Sequence, residues 1–208
     1  MNFIKFLLYF LISIANKKKR YLILSPSLLF IFIKKIFIYD KQNKKIFIQK
    51  IERYGDYITI LEIFFNSDYD LKKFSFWKNI NKNNSKVPLI IDCGANIGCS
   101  SLFFHRNHPK SFIVAIEPEK ENFKLLQENT KKIKKIKLVN SAISSNEHFF
   151  SLKKSNDSRA HKIYDKKNKK FKNSKTVTIN NILKDHPENK FSFFLIKIDI
   201  EGFEKKLF

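Results

Sequence analysis

The sequence predicts an α/β fold built on an open parallel sheet, with an N-terminal extension ahead of it. Three stretches predict this. Leu89-Ile90-Ile91 is apolar and partly β-branched, closes on Asp92, and leads into a loop carrying Gly94 and Gly98. Residues 112–116 form a second apolar run that closes on Glu117-Pro118. Phe193-Phe194-Leu195-Ile196 is a third, ending at Asp199. Runs without polar alternation read as strands buried on both faces, the habit of parallel sheets.

Taken in order, residues 89–92 form the first core strand and residues 100–108 the helix after it. Strand, glycine turn and helix together bring a nucleotide-like ligand against backbone N–H groups. Gly94 lets the backbone approach that ligand, and Gly98 lets the start of the helix pack on the strand. A dinucleotide fingerprint needs G-x-G-x-x-G, whereas the spacing here is Gly-x-x-x-Gly, and Asp92 would repel a phosphate. S-adenosyl-L-methionine, with its amino group and sulfonium, suits Asp92, Gly94, Asn96 and Gly98 better. The alternative is an ordinary crossover with no ligand. Glu117 closes the second strand where an acidic residue accepts hydrogen bonds from ribose hydroxyls. Pro118 suits the first turn of the next helix, whose apolar residues are Phe123, Leu126 and Ile133. Residues 136–139 make the third strand, and the following stretch, with Ala142, forms the rim beside the adenine. Thr178 caps a short helix over 179–184, Pro187 stops it, and the fourth strand runs from 193 to 199.

Four stretches then carry a resemblance: residues 89–98, Ala115-Ile116-Glu117-Pro118, Asn140-Ser141-Ala142-Ile143-Ser144 and Ile196-Lys197-Ile198-Asp199-Ile200-Glu201-Gly202-Phe203-Glu204. Together they resemble the FkbM family of S-adenosylmethionine-dependent methyltransferases, over about residues 87–208. The resemblance implies a Rossmann-like class I methyltransferase sheet and O-methylation of a sugar, glycan or secondary-metabolite hydroxyl. It also implies seven strands. Only four are countable, so the expectation is a C-terminally truncated chain whose sheet is incomplete and lacks the C-terminal strands. Asp56 and Tyr69 match the family's upstream pattern weakly. Ser145 stands where many relatives have an acid.

Ligands of open α/β sheets sit beyond the carboxyl ends of the strands, where Asp92, Glu117, Ala142 and Asp199 converge. Asp199 and Glu201 are the carboxylates placed to take a proton from an acceptor hydroxyl. Glu201 and Glu204 have a structural alternative: capping the next helix or pairing with Lys205 and Lys206. No histidine set accompanies the carboxylates, so no metal is expected. Cys93 and Cys99 lack a zinc spacing and read as small buried residues.

Residues 1–85 form the extension and 86–208 the methyltransferase core, with a polar linker over 79–86. Within the extension, residues 3–15 and 21–33 are apolar runs followed by lysines. They suggest a helical pair packed on the catalytic domain, or one lying in a membrane interface through residues 3–38; a signal peptide is the third reading. A strand is expected over 44–52, a turn at Tyr54-Gly55-Asp56, and either strand or helix over 57–65. Residues 147–174 are polar and basic: a hairpin and loop, or an acceptor-binding flap with Ser158, Arg159 and His161. The chain has 41 Lys+Arg against 19 Asp+Glu, a net charge of +22. That charge is spread along the whole chain, as AT-rich codon usage would spread it, so no nucleic-acid partner is expected. The rival readings are an RNA methyltransferase, which lacks support because Asp199-Ile200-Glu201-Gly202 replaces the Asn/Asp-Pro-Pro-aromatic motif, and a basic nucleic-acid- or membrane-binding module. The expected location is cytoplasmic, with membrane association left open.

Overall fold

The computed structural model describes residues 19–24, 34–71, 86–153, 162–164 and 173–200. The chain divides into two units, Met1–Asp70 and Leu71–Phe208. The expectations for residues 3–18, 25–33, Ser158, Arg159, His161, Glu201 and Glu204 concern positions outside the described residues.

In the first unit, β1 (Tyr21–Ile23), β2 (Lys35–Asp40) and β3 (Lys45–Lys50) form an antiparallel sheet in the order β1-β2-β3. Alternation drives it: Ile36, Ile38 and Asp40 are buried while Phe37 and Tyr39 are only half-buried. Asp40 organises the β2–β3 turn. Its carboxylate accepts from the Gln42 and Asn43 backbone N–H groups at 3.1 and 3.3 Å. It also holds Arg20 through two bonds of 2.9 and 2.8 Å. The expected helical character of residues 21–33 is therefore wrong at its start. Tyr21 to Ile23 pair with Asp40 to Ile38, where all three side chains are buried.

Helix α1 (Tyr54–Ile60) follows and continues as a π-helical turn over Leu61–Asn66. Tyr54-Gly55-Asp56, expected as a turn, is instead the first turn of this helix. The reason is Asp56, whose Oδ2 accepts from the Glu52 and Arg53 N–H groups at 2.9 and 3.0 Å and so satisfies donors that the helix start leaves open. Tyr21 and Phe47 each pack on Phe64, with ring centroids 5.1 and 5.4 Å apart.

The second unit holds the parallel sheet. Strands β4 (Val87–Cys93), β5 (Phe112–Ile116) and β6 (Ile136–Val139) run outward in order, and β10 (Phe191–Ile198) returns to the other side of β4. All the pairings are parallel. The strand order thus reverses at β4, which makes the crevice between β4 and β10 the switch point of the sheet. Helices α2 (Cys99–Asn107) and α3 (Lys120–Thr130) are the crossovers. The four strands expected from apolar runs are these four. Leu89, Ile91, Cys93, Val114, Ile116, Ile143, Ile182 and Ile200 form one buried cluster.

Pro118 does not open α3 as expected. The N-cap is Glu119, whose side chain accepts from the Asn122 N–H at 2.8 Å, so Pro118 lies just outside the helix. After β6, residues 149–175 hold β7 (Phe149–Lys153), β8 (Lys162–Tyr164) and β9 (Asn173–Lys175), antiparallel in the order β8-β7-β9. Helix α4 (Ile179–Lys184) is capped as expected, Thr178 Oγ1 accepting from the Asn181 N–H at 3.1 Å.

Candidate functional site

The loop between β4 and α2 is held in a left-handed shape. Gly94, Asn96 and Gly98 have φ of 76°, 50° and 93°. The N–H groups of Gly94 and Ala95 both donate to the Ile116 carbonyl, at 3.0 and 2.9 Å, and Gly98 N–H donates to Ala95 O at 2.8 Å. Asn129 of α3 donates to the Ile97 carbonyl at 2.9 Å. The loop is therefore anchored on the end of β5 and the flank of α3.

Glu117, just past β5, faces this loop. One carboxylate oxygen accepts from the Asn96 N–H at 2.8 Å and the other from the Glu119 N–H at 2.9 Å. The residue is 5% exposed. Burial pushes its carboxyl up to about 7, against the backbone donors, which favour the charged form. Asn140 Nδ2 donates to the Glu117 carbonyl at 2.8 Å, which brings the start of the 140–144 stretch beside it. Ala142 is buried, and its carbonyl accepts from the Val177 N–H at 2.9 Å. Pro118 is half-buried between Glu117 and the helix cap.

At the end of β4, Asp92 is fully buried. Its Oδ2 accepts from the hydroxyls of Ser100 and Ser101, both at 2.6 Å. Lys197 of β10 stands opposite it in the strand register, with Nζ 3.2 Å from Asp92 Oδ1. The same ammonium donates to the Gly94 carbonyl at 2.7 Å and reaches the Cys93 carbonyl at 3.3 Å. It lies 3.6 Å from Asp199 Oδ2. The Lys197 side chain is 6% exposed and that of Asp199 is 56% exposed. A buried cation thus ties the first-strand loop to the aspartate at the mouth of the fourth strand.

The structure revises the reasons given for both glycines. A Cβ on Gly94 would stand 1.9 Å from the Asp199 carbonyl oxygen, so the close approach there is by the chain's own backbone. A Cβ on Gly98 would meet Leu126 Cδ1 at 2.8 Å, so that glycine makes room for α3. Asp92 faces Ser100, Ser101 and Lys197 and acts inside the protein. Lys197 and the two serines escaped the sequence reading. The signal was a lone lysine in an otherwise apolar strand, two residues before Asp199. Cys93 and Cys99 are buried free thiols, and burial pushes the Cys93 thiol up to about 12. Among the described residues no group of three or more His, Cys, Asp or Glu side chains could hold a metal ion.

The profile of the methyltransferase FkbM domain matches residues 92–208, more than half of the chain. The chain belongs to the FkbM methyltransferase family. No curated protein matches it. The matched region opens at Asp92 and takes in the glycine loop, Glu117 and the β10 end, so the network just described lies inside the FkbM domain. That domain accounts for the parallel sheet and makes the chain a methyltransferase by family. Its site is rich in acceptors: the Glu117 carboxylate, the exposed Asp199 carboxylate, and Asn96 Oδ1, which is buried with no hydrogen-bond partner among the described residues. A donor-rich ligand, bearing hydroxyls and an ammonium group, fits such a set; a phosphate does not.

Proposed function

We propose that the FkbM domain binds S-adenosyl-L-methionine and methylates a hydroxyl oxygen of a sugar, glycan or secondary metabolite. The observation that carries the reading is the convergence of Glu117, the 94–98 loop and Asp199 at the carboxyl ends of β5, β4 and β10. Glu117 would accept from the ribose hydroxyls and Asn96 Oδ1 from a ligand donor, with Pro118 beside them, while Gly94 and Gly98 let the loop pack on Asp199 and on α3 and the buried Ala142 backs the site. The cofactor supplies an electrophilic methyl carbon, already activated by the sulfonium. What remains for the chain is to hold the acceptor in line and to remove its proton. Asp199, more than half exposed at the strand end, takes that proton; Glu201, two residues on, supports it. Asp92 and Lys197 act one layer deeper as positioning residues. Lys197 fixes the Gly94 carbonyl and stands behind Asp199, so that loop and base are set by one buried charge.

The test is transfer from methyl-labelled cofactor to a panel of glycan and small-molecule hydroxyls, comparing the parent chain with Asp199→Asn. The substitution keeps shape and removes the base. Turnover should fall about 100-fold with cofactor affinity nearly unchanged. Equal turnover in Asp199→Asn would remove it from the mechanism.

A further inference from the structure

The exposed face of the β2–β3 hairpin belongs to the first unit. The antiparallel register sets Phe37 opposite Ile48 and Tyr39 opposite Ile46, so these four side chains form one contiguous strip. Ile46 is 57% and Ile48 49% exposed, and Tyr39 is half-buried. Large exposed aliphatic side chains that are neighbours on one strand face, rather than scattered, mark an interaction surface.

The strip is bordered by exposed lysines: Lys35 at its open end, Lys44 and Lys45 at the turn. Residues 34–50 contain six lysines and a single acid, Asp40, and that acid is buried in its pair with Arg20. We infer that this hairpin face docks on an anionic bilayer surface, with Ile46, Ile48 and Tyr39 entering the interface and the lysines meeting lipid headgroups. Charge complementarity selects this occupant. A second copy of the chain would set lysine against lysine, on a molecule that already carries +22. A nucleic acid would leave the aliphatic centre without a counterpart. An aromatic ring and aliphatic side chains framed by cations is the composition that lies in a membrane interface, and each lysine near an anionic surface adds attraction that salt weakens.

The test uses the full chain with vesicles of phosphatidylcholine alone and of phosphatidylcholine mixed with phosphatidylglycerol. The parent should sediment with the mixed vesicles, less so as salt rises, and Ile46→Asp with Ile48→Asp should weaken partitioning about tenfold or more. Both positions are exposed, so the double variant should keep the parent's melting temperature. A second measurement does not depend on that variant. With the single tryptophan removed (Trp77→Phe), Tyr39→Trp should shift its emission to the blue on mixed vesicles alone. Unchanged partitioning of the double variant, or no emission shift, would overturn the proposal. So would a concentration-dependent dimer, or RNA binding without vesicle binding, abolished by the same double substitution.

Discussion

Glu117 is the residue on which the site's pH behaviour turns. Its carboxyl titrates at about 7 in the fold against an ordinary value of 4.5. Burial disfavours the ionised form. This residue's contribution to stability is therefore most favourable below about 4.5 and declines as pH rises to about 7. In the proposed function ribose hydroxyls would donate to the ionised form, so cofactor affinity should rise across the same window and level off above it. Binding near pH 6 should release a proton, measurable by calorimetry in two buffers of different ionisation enthalpy. Affinity that is flat between pH 5 and 8 would show that Glu117 is ionised throughout or does not meet the cofactor. Lys197 is the second residue to probe. Lys197→Met leaves the buried Asp92 without its ion-pair partner, a loss of about 3–5 kcal/mol from a fold whose total is about 5–15 kcal/mol. Urea unfolding should register that loss, and Asp92→Asn added to Lys197→Met should recover part of it. A Lys197→Met chain as stable as the parent would mean that the ammonium is not needed to hold Asp92.

At the scale of elements, the β4–α2 loop is a joint between three pieces. Gly94 meets the backbone of Asp199, and Gly98 meets a side chain of α3. Backbone cannot give way, whereas the end of a leucine can. Both glycines have positive φ, so alanine at either position adds about 1–2 kcal/mol of left-handed strain. Gly94→Ala should cost clearly more than Gly98→Ala in thermal melts, and should disturb the Asp199 turn as well. The reverse ranking would contradict the packing described. The elements differed in how far they could be read from the sequence. Strands β4 and β5 were legible because strands buried on both faces need apolar runs, whereas β6 is short and interrupted by the exposed Lys137 and β10 by Lys197. The caps of α3 and the start of α1 were not. Pro118 satisfies the rule for a first helical residue, but Glu119 offers a side-chain acceptor one place later. Tyr54-Gly55-Asp56 has turn composition until Asp56 is seen to accept from the Glu52 and Arg53 N–H groups. Residues 21–23 looked helical because their strand partner lies 15 or more residues on, and register cannot be read from a single run.

Across the whole molecule, the four-stranded parallel sheet brings together side chains from residues 92 to 199, and the sequence anticipated its carboxyl-end acids. It did not anticipate that Asp92 would be withdrawn into the protein, because burial of a strand-end acid depends on what faces it. Here that is Lys197, more than 100 residues away in the chain and adjacent only through the β4–β10 pairing. Among the described residues no helix is long and apolar enough to cross a membrane. The central claim is that this arrangement holds S-adenosyl-L-methionine, and calorimetric titration tests it most directly. The parent chain should bind one equivalent of cofactor, and Glu117→Ala, confirmed folded by circular dichroism, should bind at least about tenfold more weakly, since each charged hydrogen bond lost is worth about 1.5–3 kcal/mol. A folded parent that takes up no cofactor, or a Glu117→Ala chain that binds it equally well, would contradict the account.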